Sequence, residues 1–182
     1  MLDTNLLVDF LLIQWKEDNK AKLPKLLEKS KELKDAYLEN KFVNYASEWN
    51  LLELRDVIEK ITEEKKLIEY GYAIHEFSEG RKELGLTAEE IATIEKSVET
   101  ISKKTTVKTE EMDLNVLRKL TNLGVSTFDC IHLMQANQIR ECNYFVTRDS
   151  RLIGVFIEKL SEKLPNIRAI RREEALRIIN AT

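Results

Sequence analysis

A chain of 182 residues is long enough for one domain with a hydrophobic core. It is 43% hydrophobic and 34% charged with only 5 Gly and 2 Pro, which argues against disorder and against a turn-rich all-β fold, and no apolar run approaches the roughly 18–20 residues of a membrane span. A net charge of −3 gives no overall basic character for gripping long nucleic acid, although a clustered acidic metal site would lower the total without removing local basic contacts.

In chain order, the first strand is expected to be very short, ending near Asp3, with a helix from Asn5 to Ile13. Residues 17–40 read as a charged helical excursion, with Pro24 suited to a first turn and Leu23, Leu26, Leu27, Leu33 and Tyr37 approximating a stripe. Phe42–Tyr45 is the next strand. A helix from Ser47 carries Leu54, Val57, Ile58 and Ile61 on one face, and two further helices follow at Thr62–Leu84 and Thr87–Lys104. The second of these opens on the capping-box spacing Thr87-Ala88-Glu89-Glu90. Thr105–Lys108 is a short strand, Asp113–Leu123 a helix stopped by Gly124, and Thr127–Arg140 another helix. Tyr144–Thr147 is the clearest strand, followed by a helix from Asp149 through Lys163, a strand at Ile167–Ile170 and a final helical turn or two at Glu173–Ile179. Strands alternating with helices predict an α/β fold built on a parallel sheet.

Four carboxylates fall at the junctions of this pattern. Asp3 ends the first strand and Asp149 lies just past a later one, on the edge where open α/β sheets bind ligands. Asp129 is in the first turn of its helix. Glu53 sits one turn inside its helix, about 90° from the centre of the apolar stripe, so it can reach a cleft from the flank. Each also fits a structural role. Asp3 and Asp149 suit helix N-caps, Asp129 stands three residues after Ser126 as a capping-box acid would, and Glu53 suits a solvated helix face. Glu48 on the same helix is the alternative to Glu53.

Sequence context adds weight to the functional reading. Leu2-Asp3-Thr4-Asn5-Leu6-Leu7-Val8 resembles the Asp-Thr-Asn strand end that opens PIN-domain nucleases. The segment Ser47-Glu48-Trp49-Asn50-Leu51-Leu52-Glu53 resembles the family's helix in which a Ser is followed six positions later by an acid. Asp129-Cys130-Ile131-His132-Leu133 and Val146-Thr147-Arg148-Asp149 are similar to its third and fourth motifs, and all four occur in the family's order.

The resemblance implies a three-layer α/β/α domain over residues 1–182, with a central, mainly parallel sheet of four to five short strands. Against a minimal toxin of this family it is enlarged by helical insertions at about 16–40 and 62–104. It implies an endoribonuclease that cleaves RNA with Mg²⁺ or Mn²⁺ held by Asp3, Glu53, Asp129 and Asp149, with Asn5 and Thr147 as accessory polar positions. Many members are toxins of the VapC type held inactive by an antitoxin, so an antitoxin partner and a homodimer are expected. Clustered carboxylates suit this chemistry because hard cations relieve their mutual repulsion and supply charge neutralisation and an activated water.

Arg148 and Arg151 flank Asp149 and are candidates for substrate phosphate, with Arg55 and Arg118 behind them; solvated surface arginine is an equally good reading of each. His132, His75, Cys130 and Cys142 read as structural, and the cysteines lack metal or redox spacing. With no signal peptide at the start, a cytoplasmic protein is expected. Two competing readings are a catalytically inactive scaffold that binds RNA or a partner, and a metal-dependent phosphatase. The phosphatase would want an acid where Asn5 stands.

Overall fold

The computed structural model describes residues 1–181. Helix α1 (Thr4–Asp18) follows Asp3 directly and runs five residues past the expected end at Ile13, and α2 (Glu28–Leu38) follows a 3₁₀ turn at Lys25–Leu27. Next come β1 (Tyr45–Ala46), α3 (Glu48–Glu69), a 3₁₀ turn at Ile74–Glu76, α4 (Phe77–Leu84), α5 (Ala88–Ser102) and β2 (Thr106–Val107). The C-terminal part holds α6 (Leu114–Thr121), α7 (Thr127–Gln138), β3 (Tyr144–Thr147), α8 (Ser150–Val155) with a π-helical turn at Phe156–Leu160, β4 (Arg168–Arg171) and α9 (Arg172–Ala181).

Local chemistry sets most helix starts. Ser47 Oγ accepts from the Asn50 amide while Asn50 Oδ1 accepts from the Ser47 amide, a reciprocal cap for α3. Thr87 and Glu90 do the same for α5. Asp113 caps α6, Ser126 caps α7 and Asp149 caps α8.

The expected boundary at Ile61/Thr62 does not exist. No breaker stands there, so α3 continues to Glu69 and ends where Gly71, at φ +84°, lets Tyr72 donate back to the Leu67 carbonyl. The expected Thr62–Leu84 helix is therefore the end of α3, a turn and α4.

The strands make two short parallel pairs, β1 with β2 and β3 with β4, and not one continuous ladder. Residues 1–3 join the second pair. Leu2 bridges Val146 in parallel, with Asp3 N donating to Val146 O and Val146 N donating to Met1 O, each at 2.9 Å. Toward the first pair, the Leu2 amide donates to the side-chain oxygen of Asn44 at 2.9 Å. A side chain takes the place of a backbone acceptor at that seam, which interrupts the ladder. It also corrects the expected strand Phe42–Tyr45, which is shortened and shifted to Tyr45–Ala46. Hydrogen bonds thus link five segments in the order β2, β1, residues 1–3, β3, β4.

Alternation along these segments builds two cores. Met1, Phe145 and Ala169 enter one apolar cluster with residues of α7 and α8, including Leu133 and Leu152. Their neighbours Leu2, Val146 and Ile170 enter another with Leu6 and Phe10 of α1, Leu33 of α2, Leu54 of α3, Ile101 of α5 and Leu176 of α9. Because successive strand residues point to opposite faces, helices cover both sides of these segments. The 16–40 excursion is packed against the domain. The buried Lys34 pairs with Glu17 at 2.6 Å, and the buried Ser30 donates to Asp9 at 2.7 Å. No helix among the described residues is long and apolar enough to cross a membrane.

Candidate active site

From residues 1–3 the chain crosses by α1 and α2 to β1 on one side. From β3 it crosses by α8 to β4 on the other. The connections thus leave in opposite directions from residues 1–3 and from β3, and the crevice between the ends of these two segments lies where they diverge. A cleft of about 310 Å³ opens there, and Asp3, Glu53, Asp129 and Asp149 all line it, together with Asn5, Val8, Val57, Ile61 and Arg148. The four acids come from four separate stretches of chain.

Each carboxylate has one oxygen tied down. Asp3 Oδ2 accepts from Thr147 Oγ1 and from Asn5 Nδ2, both at 2.5 Å, and Asn5 Nδ2 also reaches Thr147 Oγ1 at 3.1 Å. Asp149 Oδ1 accepts from the amides of Arg151 and Leu152 as the cap of α8, and the Asp149 amide donates to Thr147 Oγ1 at 3.0 Å. Asp129 Oδ2 accepts from Ser126 Oγ at 2.7 Å. Glu53 Oε2 is 2.7 Å from His132 Nε2. Asp3 Oδ1, Asp129 Oδ1 and Asp149 Oδ2 take no hydrogen bond from any described residue.

Of the expected capping roles only that of Asp149 is seen, and there cap and cleft position coexist because the cap uses one oxygen and leaves the other; Asp3 makes no side-chain cap bond, and Asp129 accepts from the hydroxyl of the cap residue Ser126. Asn5 and Thr147 both donate to Asp3. Glu53 lines the cleft and Glu48 does not. The expected buried stripe of α3 is only partly buried. Leu54 is in the core, whereas Val57 and the half-exposed Ile61 form the cleft wall.

Electrostatics reflect the crowding. Burial, aided by the charges of Asp129 and Glu53, pushes the Asp3 carboxyl up to about 6 against the opposing bond from Thr147. Burial likewise raises Asp129, with Glu53 and Asp149 adding to it and the Ser126 hydroxyl working the other way. Burial also acts to raise Glu53, but its bond to His132, the neighbouring Thr4 hydroxyl and the His132 charge outweigh it and leave the carboxyl below its usual value.

His132 is buried at 1% exposure, and its role as the partner of Glu53 was not assigned from sequence, where it read as packed or hydrogen-bonded. Its place one helical turn after Asp129, on the same face, was the available signal.

Among the described residues no three carboxylate, imidazole or thiol groups stand close enough to hold an ion as they are arranged. The donor set would nonetheless suit a hard cation. All the anionic groups lining the cleft are carboxylates, and the buried Asn5 Oδ1 is an acceptor with no partner among the described residues.

The arginines differ. Arg148 lines the cleft, with Nη1 on Asp9 Oδ1 at 2.7 Å. Arg151 instead lines a smaller neighbouring cavity of about 90 Å³ beside Asp129 and Asp149, with Nη2 3.4 Å from the Gly124 carbonyl. Arg55 is taken up in ion pairs with Glu59 and Glu95 and lies outside the cleft. Cys130 and Cys142 are buried free thiols. No family model, curated protein or solved structure matches this chain.

Proposed function

We propose that this chain is a divalent-cation-dependent phosphodiesterase that hydrolyses RNA, with a PIN-like three-layer α/β/α fold. The observation that carries the reading is that four acids picked from separate motifs line one cleft beside the ends of residues 1–3 and β3. Helices on both faces of the linked strand segments support the layered fold.

Asp3, Asp129 and Asp149 would hold Mg²⁺ or Mn²⁺ through the oxygens their protein bonds leave open, with Glu53 alongside. When bound, the ion supplies charge neutralisation at the phosphate and a water acidic enough to attack it. Thr147 and Asn5 keep the Asp3 carboxylate in one orientation, and the Asp149 amide on Thr147 ties the two strand-end acids together. Glu53, held by His132, would orient the attacking water and accept its proton. Arg148 offers donors to a phosphate oxygen from the cleft wall.

Asn5 donates to Asp3 and Thr147, which makes it an orienting amide and disfavours the phosphatase reading. A toxin role, an antitoxin partner and a homodimer belong to the same proposal.

The test is cleavage of single-stranded RNA in Mn²⁺ or Mg²⁺ by the wild type and by Asp149→Asn. Asparagine caps a helix as well as aspartate, so the variant should melt close to the wild type while losing cleavage. A fully active variant would sink the assignment.

A further inference from the structure

Asp9 is one of the few carboxylates in the core, at 2% exposure, and it does not line the cleft. It lies one turn after Asn5 on α1, so both side chains face the end of β3. Its Oδ1 accepts from Arg148 Nη1 at 2.7 Å. Its Oδ2 accepts from Ser30 Oγ of α2 at 2.7 Å and is 3.9 Å from Arg172 Nη1, which in turn donates to Ser30 Oγ at 2.9 Å. Arg172 opens α9 immediately after β4.

A carboxylate this deeply buried is costly unless paired, and here every oxygen is satisfied from a different element. The surface end of the chain of contacts is Arg148, whose side chain is 40% exposed and reaches the acidic cleft. Among the described residues Arg148 makes no other hydrogen bond, so Nε and Nη2 are free to donate.

We propose that Asp9 is a positioning residue for phosphate binding. Braced by Ser30 and Arg172, it locks the Arg148 guanidinium so that the free edge faces the phosphate of an RNA strand in the cleft. The 16–40 excursion then has a definite task, since it supplies Ser30 and closes the brace from outside the sheet. Without Asp9, Arg148 has four attractive carboxylates within its cleft. Asp9 therefore also keeps the guanidinium from collapsing onto the acids that hold the cation. This inference rests on the phosphodiesterase reading above.

The experiment is a double-mutant comparison in Mn²⁺ with a short single-stranded RNA. It takes KM and kcat/KM for the wild type, Arg148→Ala, Asp9→Asn, Ser30→Ala and each brace variant combined with Arg148→Ala. Arg148→Ala should raise KM and lower kcat/KM by roughly tenfold to a hundredfold. Asp9→Asn and Ser30→Ala should lower kcat/KM less, and neither should change it further once Arg148 is gone. A merely structural Asp9 would move Tm and leave that pattern absent.

Equal losses with and without Arg148 overturn the inference, as does an Arg148→Ala variant that cleaves like the wild type; the phosphodiesterase reading survives both results. A wild type that cleaves no RNA overturns that reading and this inference with it. Ser30→Ala, which keeps the Asp9–Arg148 pair, carries the comparison if Asp9→Asn does not fold.

Discussion

Replacing Asp3 by Asn should stabilise the metal-free protein while abolishing cleavage. The Asp3 carboxyl is buried and pushed from 3.8 to about 6, so above pH 6 the fold carries an ionised group that it would rather keep protonated. The difference between those two values corresponds to ~3 kcal/mol of lost stability in the metal-free state at neutral pH. Because the folded value is the higher one, the native state binds the extra proton between about pH 4 and pH 6. Stability therefore falls as pH rises through that window.

Asparagine removes the charge. Its Oδ1 can still accept from Thr147 and Asn5, which now both point at Asp3 Oδ2. For a domain of this size ~3 kcal/mol is about 6–12 °C in Tm. The assay is thermal melting in EDTA across pH 4 to 8. The Asp3→Asn variant should melt above the wild type at pH 7, and the gap should close as pH falls toward 4. Adding Mn²⁺ should raise the wild-type Tm and narrow the gap from the other side, since a cation relieves the same repulsion. A variant that melts at or below the wild type at pH 7 in EDTA, or a gap that widens on acidification, would refute the reasoning.

Removing the His132 imidazole with Ala should strip Glu53 of its partner inside a buried helix contact, costing about 1–3 kcal/mol in chemical denaturation and lowering kcat. Ser47→Ala should cost about 1 kcal/mol by uncapping α3, read as a shifted denaturation midpoint with unchanged slope. Gly80→Ala should destabilise by roughly 1–3 kcal/mol, because its Cβ would run into Leu67 and Tyr72, while RNA cleavage at a temperature where the fold persists should be unaffected.

Much of this molecule was legible residue by residue, because the information was local. Thr87 with Glu90, Asp113 and Ser126 start helices through bonds to amides two or three residues on, so sequence order is enough to find them. Tyr144–Thr147 and the acids at strand ends were legible for the same reason: β-prone runs stop at polar residues, and the topology then carries those ends to one edge. The break in the long helical stretch was set at Ile61/Thr62, where nothing local interrupts the helix, whereas the effective stop is Gly71. The strand β1 was placed too early because Asn44 uses its side chain as a backbone substitute, which no hydropathy pattern encodes.

Sequence alone determined which acidic groups were candidates for the site and where the side-chain-capped helices α3, α5, α6, α7 and α8 begin, since both depend on residue type and near neighbours. Tertiary structure decided who holds whom. Glu53 meets His132 across 79 residues of chain, Arg148 meets Asp9 across 139, and Thr147 meets Asp3 across 144. Buried charges and orienting bonds are satisfied by whatever the packing of α1, α3, α7 and β3 brings within reach. That pairing is a property of distances in the fold, and spacing along the chain does not contain it.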